Sequence, residues 1–182
     1  MAGASELLEQ LFPLVVPAKL FGGGVPVAQH VLSDTGFVLA WGVRSQPNAF
    51  MYLTVDQAKL LDESKAPWQR TAMQNMVHGK PVNTHERSRA SGKLLWCGLM
   101  HDDAFGSSRT LLAPAWRRLF PGGYRIALPD RSCGMVLAAD ITKDEDSEMR
   151  EMISQMYARA KTPMSDALFE ADALALPEAW YP

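Results

Sequence analysis

Tyr124-Arg-Ile-Ala-Leu128, Pro129-Asp-Arg-Ser-Cys-Gly134 and Met135-Val-Leu-Ala-Ala139 follow one another without a break, and the segment Asp144 to Lys161 comes next. The first and third stretches are short apolar runs. The second holds Pro, Asp, Ser and Gly, the residues that punctuate a chain, so the three together predict a β-hairpin. The hydrophobic period then changes. Met149, Met152, Ile153, Met156, Tyr157 and Ala160 recur at i, i+3, i+4, i+7, i+8 and i+11, which is one stripe of a helix. Asp144, Glu145 and Asp146 open that helix and Arg159 and Lys161 close it, both in the sense that complements the helix dipole. A hairpin followed by a one-sided helix needs a sheet face against which the stripe can be buried. The expected class is α+β.

Moving outward, Leu94 to Met100 predicts a buried strand, and Pro114 opens a short helix over Ala115–Phe120 with Trp116, Leu119 and Phe120 inward. Nearer the start, Ser5–Leu11 predicts a short helix. Leu14–Val16, Val25–Leu32, Phe37–Val43 and Phe50–Leu53 predict strands. Their connections (Gly22–Gly24, Asp34-Thr-Gly36, Gln46–Asn48) are too short for crossovers, so the strands form an antiparallel meander. Thr54-Val-Asp-Gln57 is a capping box that opens a helix over Val55–Asp62. Pro67 suits the first turn of another helix, whose buried face is Trp68, Ala72, Met73, Met76 and Val77 and which Gly79 ends. Lys80 to Gly92 is polar and irregular and predicts a long exposed loop. The expectation is a single α+β domain over residues 1–162, with a mainly antiparallel sheet and helices packed on one face. Residues 163–182, interrupted by Pro163 and Pro177, are expected to form a surface-wrapping tail.

Composition agrees with an ordinary globular chain. Of 182 residues 47% are hydrophobic and 21% charged, and 18 basic residues face 20 acidic ones. This balance argues against a nucleic-acid coat or a polybasic membrane binder. The start of the chain carries Glu6 and Glu9 and no basic cluster, so no signal peptide is expected. No apolar run approaches the roughly 20 residues of a membrane helix, and a cytoplasmic location is expected. Cys97 and Cys133 sit in hydrophobic stretches and read as small buried hydrophobes.

The densest set of potential ligands is His101-Asp102-Asp103, where a strand ends. An Asp and a His there could act as acid and base or hold a metal. The preferred reading is that Asp102 or Asp103 caps the following segment, Ala104-Phe-Gly-Ser-Ser-Arg109. His85-Glu86 matches no metal motif, and His30 and His78 are isolated. Arg131 stands two residues from Cys133, yet no CxxC exists, and Gly22-Gly-Gly24 has neither the Lys-Ser/Thr of a phosphate loop nor the spacing of GxGxxG. Arg109, Arg117, Arg118, Arg125 and Arg131 give the middle of the chain a basic bias. Pairing with Asp102, Asp103 or the acidic segment Asp144–Glu151 is preferred over an anion-binding face.

The segment from Met100 to Asp140 combines an acid, a small-residue pair, Leu111-Leu112, a helix with Trp116, and Pro129-Asp-Arg131 after a strand. With Thr54-Val-Asp-Gln57 and Ala72-Met-Gln-Asn75 upstream, it resembles the bacterial YtpQ-like family over about residues 50–140. Ser132 stands where that family carries an acid after the arginine. The resemblance implies a small bacterial cytosolic α+β domain and lends no activity.

The expected function is that of a non-catalytic, partner-binding protein of the adaptor, chaperone or immunity kind. It is expected to need no cofactor or metal and to bind another protein. Arg109, Arg117, Arg118, Arg131, Trp180 and Tyr181 are the binding candidates. One alternative is a hydrolase using His101, Asp102 and Asp103 with Arg109 or Arg131 holding an anionic substrate. Another is nucleic-acid binding through the central arginines and the basic segment Lys80–Lys93.

Overall fold

The computed structural model describes residues 4–22, 24, 26–46, 49–78, 80–101 and 103–182. Asp102 and the residues Gly23, Val25, Pro47, Asn48 and Gly79, which the sequence reading placed in turns, a strand and a helix end, lie outside them. The chain divides into two compact units, Met1–Lys80 with Leu176–Pro182, and Pro81–Ala175. Both are built of helices and antiparallel strands, the α+β class.

The first unit runs α1 (Ala4–Glu9), β1 (Leu11–Pro17), β2 (Gln29–Leu32), β3 (Phe37–Gln46), β4 (Ala49–Tyr52), α2 (Val55–Glu63) and α3 (Trp68–Val77). β3 is central. One of its edges takes β1 from Leu11↔Val43 to Pro17↔Phe37. The other takes β2 against residues 37–40 and β4 against residues 42–46. The turn from β2 to β3 uses Asp34 and Gly36 at positive φ, and the Thr35 hydroxyl donates to the Leu32 carbonyl at 2.8 Å. The capping box at α2 forms as the sequence predicts: the Gln57 N–H donates to Thr54 Oγ1 at 3.3 Å, and the Thr54 N–H donates to Gln57 Oε1 at 2.9 Å. α3 buries Trp68, Ala72, Met73 and Met76, the stripe its period predicts. Asn75 Nδ2 donates from α3 to the carbonyls of Leu8 and Leu11, which holds the end of α1 and the start of β1.

The second unit runs β5 (His85–Ser88), β6 (Leu94–Leu99), α4 (Gly106–Arg109), α5 (Ala113–Leu119), β7 (Tyr124–Asp130), β8 (Cys133–Ala138), α6 (Lys143–Arg159) and β9 (Leu168–Glu170). Its sheet has the order β5-β6-β8-β7-β9 and every pair is antiparallel. Met149 and Ile153 of α6 lie in one core with Ala127, Met135 and Leu137. Burying each of the Met, Ile and Leu side chains contributes roughly 1.5–3 kcal/mol. Adjacent strand residues point to opposite faces, so Gly134 faces away from α6. A Cβ on Gly134 would lie 2.6 Å from Thr110 Cγ2 and 2.8 Å from the Gly106 carbonyl. α4 therefore covers the other face, backbone against backbone.

Four expectations change. The one sheet is two sheets. In the second unit helices cover both faces, because Gly134 and Gly106 let α4 sit on the strands opposite α6. Lys80–Gly92 is not a loop throughout: His85–Ser88 is an edge strand whose side chains are all exposed, which is why its sequence carries no apolar alternation. Nor is 163–182 one surface tail. Leu168–Glu170 pairs with β7, while Leu176 and Tyr181 are buried and belong to the first unit.

Gly106→Ala would drive its methyl group into the carbonyls of Ser132 and Leu99, both backbone atoms that cannot swing aside. Denaturant unfolding is expected to show a loss of about 3 kcal/mol or more. Gly92→Ala, at φ +82° with open space around it, is expected to cost only about 1–2 kcal/mol.

Candidate functional site

The His101–Arg109 cluster is built into the fold. Asp103 Oδ1 accepts the Phe105 N–H at 3.1 Å, the turn-capping role the sequence favours. Its two oxygens also take Arg109 in a bidentate pair, Nη1–Oδ1 at 2.8 Å and Nη2–Oδ2 at 2.7 Å. Arg109, offered as a ligand-holding residue, is 1% exposed in its side chain and Asp103 12%. This arginine serves the carboxylate beside it. Burial opposes the ionisation of Asp103 most strongly. The Arg109 hydrogen bonds and charge, with the Phe105 N–H, outweigh it and hold the carboxyl below its usual range. His101 is buried with Nε2 2.8 Å from the Pro81 carbonyl. Asp102, the third member, lies outside the described residues.

Burial pushes the Cys97 thiol up to about 11 and the Cys133 thiol up to about 12, with the nearby charges of Glu86 and Asp130 acting in the same direction. Both groups are protonated at neutral pH. That opposes the thiolate which a neighbouring Arg131 would favour.

The remaining arginines divide. Arg125 Nη2 donates to Asp146 of α6 at 2.7 Å. Arg87 pairs with Glu148, and Arg89 Nε donates to Glu145 at 2.8 Å while its Nη2 donates to the Asp140 carbonyl at 2.9 Å. Of the five arginines for which pairing is the preferred reading, Arg109 and Arg125 are paired, with Asp103 and Asp146, and Arg87 and Arg89, outside that set, also reach the acids of α6. Arg117 and Arg118 are exposed on α5 and form no ion pair among the described residues. Arg131 is half-buried. Ser132, the residue beside it, donates its Oγ to Asp130 Oδ1 at 2.6 Å and so completes the turn. A cleft of about 600 Å³ at the start of α6 holds Arg125, Thr142, Lys143, Asp146 and Glu170, and its arginine is already bound to its aspartate.

The first unit holds a different kind of site. His30 of β2 pairs with Leu39, and Leu39 and Trp41 are two residues apart on β3, so His30 and Trp41 share a face. Trp68 stands at the start of α3, and Trp180 in a short turn over Glu178–Trp180. The rings form a row of edge-to-face pairs: His30–Trp180 at 5.0 Å, Trp180–Trp41 at 5.5 Å and Trp41–Trp68 at 5.0 Å between centroids. The row borders a groove of about 490 Å³, with Gln29, Lys59, Asp62 and Gln69 among its polar lining. Trp68 Nε1 donates to Asp62 Oδ1 at 2.7 Å. Burial lowers the pKa of His30 from its ordinary value, so its ring is neutral at pH 7. Tyr181, a binding candidate beside Trp180, is instead buried, and its hydroxyl accepts the Leu176 N–H at 3.1 Å. It anchors the turn that presents Trp180.

The sequence reading named Trp180 and assigned no role to His30, Trp41 or Trp68 in a site. The Trp68 stripe read as core, which it also is. The available signal was the placement of Trp, a ring with a polar edge, at the very start of a helix.

Among the described residues no three His, Cys, Asp or Glu side chains are grouped to hold a metal ion. No helix among them is long and apolar enough to cross a membrane. No family model, curated protein or solved structure matches the chain.

Asp103→Asn removes the charge that the buried Arg109 meets in the bidentate pair, and chemical denaturation at pH 7 is expected to show a loss of about 3 kcal/mol. The Asp103 pKa is lower in the folded state than the ordinary 3.8. Its contribution is therefore present above that value and lost as pH falls through the folded pKa. The gap between wild type and variant is expected to narrow as the pH is taken below 3.8.

Proposed function

We propose that this chain is a partner-binding protein, of the adaptor kind, that receives a segment of another protein in the groove bordered by Trp41, Trp68 and Trp180. The observation that supports this is the half-buried Trp180, held beside a concave, partly polar cleft by a buried Tyr181. Trp is the residue type most enriched at energetic centres of interfaces, where a ring supplies apolar area and a polar edge together. The groove also has the volume of clefts that hold a compact ligand or an anchoring side chain, roughly 300–1,000 Å³. His101 and Asp103, two of the three residues of the hydrolase alternative, are engaged by the Pro81 carbonyl and by Arg109.

The test uses the tagged full chain as bait, as wild type, as Trp180→Ala and as the double variant Arg117→Ala/Arg118→Ala. A stoichiometric protein is expected with the wild type and the arginine variant. Trp180→Ala is expected to lose at least tenfold of it while circular dichroism shows the chain still folded, since each ring pair contributes only about 0.5–1.5 kcal/mol. Retention by Trp180→Ala, or the absence of any stoichiometric protein with the wild type, overturns the reading.

A further inference from the structure

We infer that the groove of the first unit takes a basic side chain, an arginine of the bound protein, seated against Trp180 with its guanidinium toward Asp62. The inference rests on the partner-binding reading above and names the chemistry of the anchor.

Three features converge on a cation. Indole rings attract cations to their faces, and Trp is the strongest of the aromatic side chains in this respect. Three such rings line the groove, of which Trp41 and Trp68 are buried and Trp180 is half-buried, so Trp180 is the ring open to a guest. Asp62 is the second feature. Its Oδ1 is fixed by Trp68 Nε1, which orients the carboxylate, and Oδ2 accepts no hydrogen bond among the described residues. Asp62 also forms no ion pair among them. The third feature is the state of the positive groups nearby. Lys59 also lines the groove, and its ammonium is 3.3 Å from Asp56 one turn back, so Asp56 offsets its charge. His30 is neutral at pH 7 because burial disfavours its charged form. Asp62 is exposed and forms no ion pair among the described residues, so a guanidinium in the groove would meet a hydrated carboxylate free to pair with it.

Arginine fits this lining better than lysine. Its guanidinium is planar, stacks on aromatic faces and forms directed hydrogen bonds to a carboxylate, whereas an ammonium is a compact and more strongly hydrated charge. The amides of Gln29 and Gln69 offer further acceptors on the same lining. An acidic side chain would meet the Asp62 carboxylate. An apolar one would make no use of the Asp62 charge.

The experiment titrates the full chain with Nα-acetyl-arginine amide and with Nα-acetyl-norleucine amide, followed by calorimetry and tryptophan fluorescence. Norleucine keeps the aliphatic stem and removes the charge. Wild type is compared with Asp62→Asn and Trp180→Ala. Asn keeps an oxygen that can accept the Trp68 N–H, so the ring stays placed while the charge is gone, and an unchanged thermal midpoint confirms it. Saturable binding of the arginine probe is expected, with the norleucine probe at least tenfold weaker. Asp62→Asn is expected to weaken the arginine probe about tenfold and to leave the norleucine probe unchanged. Equal binding of the two probes, an unaltered affinity in Asp62→Asn, or no saturation by about 20 mM of the arginine probe overturns the basic anchor. The bait experiment separates the two failures. A protein lost by Trp180→Ala and fully kept by Asp62→Asn leaves the partner-binding reading in place and removes the arginine.

Discussion

A backbone-on-backbone contact governs the second unit. Gly106 of α4 meets the carbonyls of Ser132 and Leu99, and Gly134 of β8 faces Thr110 and the Gly106 carbonyl. Only residues without a Cβ permit so close an approach. The contact brings Arg109 under the surface, where a guanidinium is tolerated only beside a carboxylate, and Asp103 supplies one. The same turn lets Trp116 Nε1 donate to the Arg109 carbonyl at 3.1 Å, which fixes α5. Residues that look like a reactive cluster in sequence are thus a consequence of packing: small residues for proximity, and a charge pair for the arginine that proximity buries.

The charge pattern of the same unit follows from strand register. Arg87, opposite Trp96, and Arg125, opposite Leu137, lie on the face of the sheet that α6 covers. Trp96 and Leu137 themselves meet the apolar stripe of that helix. The first half of α6 carries Glu145, Asp146 and Glu148, and these reach Arg89, Arg125 and Arg87. Acids at a helix start are favoured by the dipole in any case. Here they also dock the helix. The half-exposed Arg87–Glu148 pair contributes little, whereas Arg89–Glu145 and Arg125–Asp146 are largely withdrawn from water and set the helix in place along the strands.

Much of this was legible. The period of Met149, Met152, Ile153 and Met156, the hairpin around Pro129–Gly134, and the capping box at Thr54 are local patterns with local causes, and the structure carries all three. The pairing of Arg109 and Arg125 with acids was also the preferred reading of those charges. The strand His85–Ser88 was not legible. An edge strand with every side chain in water has no hydrophobic alternation to betray it, and its evidence is the ladder to β6. Residues 163–182 were misjudged for a related reason. Leu168 and Phe169 earn their place by pairing with β7, a contact more than forty positions away in sequence.

The groove of the first unit illustrates the same limit more sharply. His30, the neighbouring Asp62 and Trp68, and Trp180 are far apart in the chain, and no spacing rule joins them. Each has an adequate structural reason taken alone: Trp68 is core, Trp180 packs on Trp41, and Asp62 accepts from an indole. The rest of the Asp62 carboxylate is open to water at the end of the row of aromatic rings. In a purely packing role, a neutral acceptor would hold the Trp68 N–H as well. A carboxylate in that position adds a negative charge at the edge of the groove, and that charge favours a cation there over an anion.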